Sequence, residues 1–514
     1  MGRFGLRFSV AMATVWMALA LTPVQQAEAV HLDIGGRGQV LLYPYYTVNN
    51  HQQTLVSLTN TSSVAQAAKV RFNEGYNGRP VLDFNLFLSP FDSWTATVFA
   101  LRDAGVDSDG AAILTRDTSC IAPLFAEEGT SVNGTPYAAF REFAYRTPDD
   151  GGPYTIDRTR EGSIEIISMS NVAAPLASAI AHGSNGSPPT GCALVRNLQP
   201  GDVGVQSTPS GGLMGAVSII NGGQGTYLSA RAEALGGFTG VGIFTYPGSI
   251  FPDLALVNDG AGNLANQATA HVFDANGKAQ ALTYPGPDSR SRRVDAVSAV
   301  LMADRIYNEY QISPALGAAS DWVVTMPTKP FYVDTLYIGD VTPSAIPPFY
   351  YVYDGWIGGG LGRFSPTKFS RLLYSREGIE SIVASGCGWI CPPGHPSPSL
   401  TTTVNVIPIN TNVVTESSVL GSRLVSTIPR NPGERIFSDS GWMRVNLDTA
   451  FLELHALLPS AEGKVLRGLP VIGYWASNIV NNNIGNGVLA NYAAAVRHAT
   501  SVTCVKESDG SPCD

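Results

Sequence analysis

Charge is what this sequence most lacks. Asp, Glu, Lys and Arg make up 14% of its 514 residues, against about 25% in ordinary soluble domains, so solubility has to rest on hydroxyls and amides. The formal net charge is −9 at pH 7, and removing residues 1–29, with Arg3, Arg7 and Glu28, makes it one unit more negative. That balance does not suggest a basic surface for nucleic acid or anionic lipid, and no nucleic-acid partner is expected.

The common catalytic spacings are also missing. There is no His-Glu-x-x-His, no Gly-x-Ser-x-Gly, no phosphate-cradling Gly-x-x-x-x-Gly-Lys and no dinucleotide glycine fingerprint. The seven histidines, His31, His51, His182, His271, His395, His455 and His498, stand singly with no pair at ligand spacing. No catalytic, cofactor-binding or metal-ligating residue is assigned on this basis, although a triad or carboxylate pair built from distant strands would leave no such trace. Calcium is the one cofactor with a foothold. Asp107-Ser108-Asp109-Gly110 and Asn258-Asp259-Gly260 offer oxygen ligands, but neither completes a 12-residue calcium loop, and Asp-Gly turns are the simpler reading.

Long apolar runs are scarce. The stretch Phe8–Leu21 follows Arg3 and Arg7 and precedes Ala27-Glu28-Ala29, the order of a cleavable export signal spanning 1–29. It falls short of the roughly 20 residues a membrane-spanning helix needs. No cysteine follows it that could carry a lipid, no sorting tail is recognisable, and no transmembrane segment is expected in the mature chain. The expected location is secreted: periplasm, cell surface or extracellular space. An outer-membrane barrel would need sustained ten-residue alternating segments, which are lacking.

What is present points to strands. Ala68, Val70 and Phe72 alternate with Lys69, Arg71 and Asn73; Leu82, Phe84, Leu86 and Leu88 share one face; Trp94, Ala96 and Val98 share another. Period-two alternation bounded by Gly, Asn and Pro is the mark of half-buried strands. The same grammar recurs at 226–232, 270–279, 322–326, 402–407 and 442–447, and Asp274-Ala275-Asn276-Gly277 reads as a hairpin turn. Helical spacing is confined to Val294, Val297, Val300 and Leu301, with a short turn near 376–383. The expected fold is all-β: antiparallel, immunoglobulin-like sandwich domains with long loops and a few short helices. Domain borders are expected at 30–215, 216–345 and 346–514. The loop Arg290-Ser291-Arg292-Arg293 reads as a solvated turn, or alternatively as a basic patch for a partner.

Six cysteines, an even number in a chain read as exported, favour disulfides. Proximity suggests Cys387 with Cys391, Cys504 with Cys513, and by elimination Cys120 with Cys192, among 15 formal connectivities. The tyrosine clusters Tyr43-Pro44-Tyr45-Tyr46 and Phe349-Tyr350-Tyr351 could stack on sugars through Tyr43, Tyr45, Tyr46, Tyr350 and Tyr351, although strand packing would use the same residues.

The segments Leu42-Tyr43-Pro44-Tyr45-Tyr46-Thr47, Thr59-Asn60-Thr61, Val81-Leu82-Asp83-Phe84-Asn85, Asp321-Trp322-Val323-Val324-Thr325-Met326-Pro327-Thr328-Lys329 and Gly468-Leu469-Pro470-Val471 resemble a group of uncharacterised secreted or cell-surface proteins of proteobacteria. The resemblance implies a bacterial, exported, surface-associated protein and supplies no catalytic residue. The expected function is a non-enzymatic structural or adhesive protein that assembles with itself or with other envelope components. A secreted carbohydrate-binding or sugar-active protein is the alternative.

Overall fold

Strands account for 44% of the chain and helices for 12%, and the strand pairs are antiparallel. The computed structural model describes residues 29–125, 130–147, 150–285, 292–338, 344–353, 364–380, 398–409, 415–426, 438–450, 453–482 and 485–514. Two seven-stranded sheets form the N-terminal sandwich. The first runs in the order His31–Leu32, Glu233–Gly236, Val40–Thr47, Glu161–Val172, Ala65–Glu74, Pro80–Leu88, Cys120–Ala122. The second runs Thr226–Arg231, Leu213–Asn221, Gln52–Asn60, Ser93–Ala100, Ala111–Leu114, Thr135–Ala139, Ser131–Val132. Their facing side chains, among them Val70, Phe72, Phe84, Trp94 and Val98, make one core. These are the apolar positions that the period-two pattern places on a common side.

The other side of the first sheet departs from expectation. Lys69 and Arg71, which alternate with the core-facing residues of a strand read as half-buried, are themselves buried, because the segment 244–253 lies across them. Lys69 Nζ donates to Ser249 O at 3.0 Å, Arg71 Nη2 donates to Pro252 O at 2.9 Å, and Asn85 Nδ2 donates to Thr245 O at 2.9 Å. Arg71 also forms a 2.8 Å ion pair with Glu165 on the neighbouring strand. A covering segment some 180 residues downstream leaves no mark on local periodicity.

Two further four-stranded sheets follow. One has the order Val404–Ile409, Ala318–Thr325, Ile472–Ile479, Tyr492–Arg497, and the other Ser370–Ser375, Ser440–Asn446, Arg305–Gln311, Ala499–Ser501. The strand Ala318–Thr325 is buried on both faces. Trp322 and Val324 pack with Ile306, Leu373, Met443 and Val445, whereas Val323 joins the N-terminal core. A strand covered on both sides puts consecutive apolar residues on opposite faces, as Trp322, Val323 and Val324 do here. Thr325 Oγ1 donates to Pro44 O at 2.7 Å, and the buried pair Arg79–Asp334, at 2.6 Å, makes a second tie between the halves. The helix Val294–Leu301, buried all round, wedges against the hairpin Gln267–Phe273/Ala279–Pro285. That hairpin turns at the expected Asp274–Gly277, where Gly277 has φ +75°.

The expected domain borders move. Position 215/216 falls inside Leu213–Asn221, and the N-terminal sandwich runs on to Gly236. Arg305–Gln311 and Ala318–Thr325, expected in a separate middle region, pair with strands beyond residue 400. Disulfides join Cys120 to Cys192 and Cys504 to Cys513, as proximity and elimination suggest. Cys387 and Cys391 lie outside the described residues. Among the described residues no helix is long and apolar enough to cross a membrane.

Candidate functional site

The outward face of the second N-terminal sheet carries the main recess. Alternation sends Val56, Trp94, Val98 and Val217 inward, and it sends Gln53, Ser57, Thr95, Thr97, Ala216 and Ser218 outward. Leu55, 36% exposed, also points outward between Thr97 and Ser218, and the short Ser, Thr and Ala side chains around it leave that part of the face low. At one end it is built up by a satellite core in which Phe99 meets Tyr137 edge to face at 5.9 Å, with Leu114 and Val132 beside them. The result is a groove of about 760 Å³, closed at its rim by the turn Arg102–Ala104, by Thr115 and Arg116, and by the hairpin tip at Asn133. Asn133 has φ +50° and Gly134 φ +76°, the pairing a tight two-residue hairpin demands.

The floor is largely uncharged, with hydroxyls set around the apolar Leu55. Thr115 Oγ1 donates to Thr95 O at 2.6 Å, and the Ser218 and Tyr227 hydroxyls lie 2.9 Å apart. Among the described residues, the side chains of Gln53, Thr95, Thr97 and Arg116 have no hydrogen-bond partner, so their capacity faces the groove. Asp103 is held by the exposed His51, whose Nδ1 lies 3.0 Å from Oδ1. Asn50 and His51 both adopt positive φ, 51° and 57°, which aims the imidazole at this rim. Asp103 is the one carboxylate lining the groove among the described residues. Acid–base hydrolysis of a glycosidic bond uses two. The arrangement is suited to holding an extended polar chain through hydroxyl and amide contacts.

The expected ligand-stacking tyrosines are dispersed. Tyr43, Tyr45 and Tyr46 are fully buried. The strand Val40–Thr47 carries one extra residue opposite Gly162–Ile164, a bulge that lets all three rings enter the core. Their hydroxyls donate inward, to Ser57 O, Glu161 Oε2 and Thr159 O. Burial takes these rings out of a ligand's reach, and strand packing is the use the fold makes of them. Tyr350 is 47% exposed, with its hydroxyl fixed by the backbone of Leu454, and the half-buried Tyr351 donates to Glu453 Oε1 at 3.3 Å. This pair is far along the chain from the groove and takes no part in it.

The acidic turns are occupied by the chain itself. Arg102 pairs with Asp109 at 2.8 Å and reaches Asp107 at 3.6 Å. Asp259 accepts from Thr269 N at 2.7 Å, Thr269 Oγ1 at 2.7 Å and Gln267 Nε2 at 3.2 Å, clasping the start of a strand. Among the described residues no three His, Cys, Asp or Glu side chains are grouped to hold a metal. Of the loop Arg290-Ser291-Arg292-Arg293, residues 290 and 291 lie outside the described residues; Arg292 and Arg293 are half-buried, with Arg292 Nε donating to Asp295 Oδ2 at 3.1 Å and Arg293 Nη1 to Ala265 O at 2.5 Å.

Sequence reasoning missed the groove. Its signal was Ser and Thr repeating at outward positions of strands 40 to 160 residues apart, which only the pairing of Gln52–Asn60 with Ser93–Ala100 and Leu213–Asn221 brings side by side. The chain matches no protein-family model, no curated protein and no solved structure.

Proposed function

We propose that this chain is an exported, non-enzymatic protein of the cell surface or extracellular space that adheres through the groove on its second sheet to an extended, sparsely charged polymer of the envelope, a glycan strand. The observation that carries the reading is the groove itself: hydroxyls and an amide around the apolar Leu55 and, among the described residues, free hydrogen-bonding capacity, one carboxylate and one guanidinium without a partner. Polyhydroxylated chains are matched by such a lining, and a single acid offers no partner for hydrolysis. Two disulfides support folding in an oxidising compartment. The order of charge, apolar run and small residues before Val30 supports export, and the likeness of the tyrosine and tryptophan segments to proteobacterial surface proteins agrees with it.

Filling the groove tests this reading. Thr97→Arg and Ala216→Tyr place bulk on an outward sheet face, where folding tolerates it. Binding of the purified protein to isolated envelope polysaccharide should fall at least tenfold in either variant with an unchanged melting temperature. Wild-type affinity in both would contradict the proposal.

A further inference from the structure

A second recess lies away from the groove, where four elements converge: the turn Leu254–Leu256, the start of the helix Val294–Leu301, and the short helices Pro330–Val333 and Thr335–Ile338. It encloses about 220 Å³, room for about seven waters at liquid density and less than a drug-sized ligand fills. Aromatic rings form its walls. Phe331 and Tyr337 lie 4.6 Å apart at 48°, and Phe251, 46% exposed, stands at the opening.

The polar groups in this cavity divide into two sets. Arg292, Arg293 and Asp295 are committed to the protein: Asp295 accepts from Tyr332 Oη at 2.7 Å and from Arg292 Nε at 3.1 Å. Arg292 also donates to Pro459 O, and Arg293 to Ala265 O. Asp253 and Tyr337 are different. Asp253 is 7% exposed, and its Oδ1 accepts from Ala255 N at 3.0 Å. Among the described residues no donor reaches its Oδ2, and the Tyr337 hydroxyl has no partner. Oδ2 therefore opens on the cavity, and burial of the residue pushes the Asp253 carboxyl above its ordinary range although the Arg71 and Arg293 charges draw it back. The cavity thus offers an unfilled acceptor and a phenol hydroxyl between flat apolar rings.

We infer that this cavity binds a single pyranose-sized polyol, its ring CH groups against Phe331 and Tyr337 and adjacent hydroxyls bonded to Asp253 and Tyr337. The chemistry favours a neutral ligand. Two arginines and two aspartates line the same 220 Å³, so a net charge of either sign meets a like charge. A hydroxyl pair can donate to the carboxylate and exchange a hydrogen bond with the phenol, while the aromatic walls take the apolar face of a sugar ring. This is a site for one sugar residue, separate from the extended groove.

Titration calorimetry of the full chain against D-glucose, D-galactose, D-mannose and N-acetylglucosamine tests it, with tetramethylammonium as the cationic control. Saturable binding of at least one sugar is expected, together with none of the cation. Tyr337→Phe removes a hydroxyl that bonds nothing in the protein, so it should leave the melting temperature unchanged and weaken the sugar about 3- to 10-fold, the worth of one hydrogen bond. Asp253→Asn, which keeps the contact with Ala255 N, should weaken it further. The groove variant Thr97→Arg should leave sugar affinity intact, so failure of the groove and failure of this cavity are told apart. Absence of saturation by all four sugars, wild-type affinity in Tyr337→Phe, or preference for tetramethylammonium would overturn the inference.

Discussion

His498 is held in one tautomer by its surroundings. Nε2 lies 2.9 Å from Val323 O, to which it donates, leaving Nδ1 to accept from Asn308 Nδ2 at 3.1 Å, while the ring packs 4.7 Å from Trp322. Burial pushes its pKa down to about 4. Unfolded histidine, near 6.5, takes up a proton first as the pH falls, so stability is full above about 6.5 and is lost through the window down to about 4. The loss is on the order of 3 kcal/mol. Glu165, raised to about 7 by burial, and Asp295, raised to about 6, act in the opposite sense, since the folded form holds their protons more tightly and acid relieves their burial. Comparing wild type with His498→Gln cancels these terms. The stability advantage of wild type in urea should shrink between pH 7 and pH 4.5, and a constant advantage would refute the assignment. Arg79 makes a further residue-scale case. Its bidentate pair with Asp334 is buried, so Arg79→Ala should cost about 3–5 kcal/mol by stranding a carboxylate, and Arg79→Met with Asp334→Leu should recover most of it.

At the scale of elements, alternation was legible wherever one sheet face meets a core. The strands Ala65–Glu74, Pro80–Leu88 and Ser93–Ala100 stand where the pattern puts them, and the spacing of Val294, Val297, Val300 and Leu301 marks the helix Val294–Leu301. What covers an opposite face was not legible, because periodicity reports one strand and not its neighbours. Lys69 and Arg71 lie under 244–253 for that reason. Trp322, in the doubly covered strand, donates its Nε1–H to Glu309 O at 2.9 Å, and Trp322→Ala should cost about 3–5 kcal/mol in denaturant unfolding. Gly468 marks a close crossing: φ is +112°, and a Cβ would sit 1.9 Å from Ala303 O. Gly468→Ala should lose about 1–3 kcal/mol to backbone strain alone, with the carbonyl clash in addition.

For the whole molecule, the class was readable and the site was not. Strand grammar and even cysteine count foretold an antiparallel, disulfide-bonded β protein, whereas the groove arises only when three strands from separate stretches align their Ser and Thr side chains. The tyrosine-rich segments that drew attention in the sequence are partly core, since Tyr43, Tyr45 and Tyr46 exploit a bulge that no local pattern announces. The disulfide Cys120–Cys192 spans 72 residues and ties an edge strand to the helix Cys192–Val195. Its removal by paired Cys→Ser changes should destabilise the chain by about 2–5 kcal/mol in chemical denaturation. The central claim is that this molecule works outside the cytoplasm, at the cell surface or beyond it. Protease treatment of intact, unpermeabilised cells, followed by detection of the full chain in cells and medium, tests it most directly. The account predicts that cell-associated chain is digested, or that mature chain is found in the medium, with its cysteines oxidised. Full-length chain that survives in intact cells with reduced cysteines, and is digested only after lysis, would contradict it.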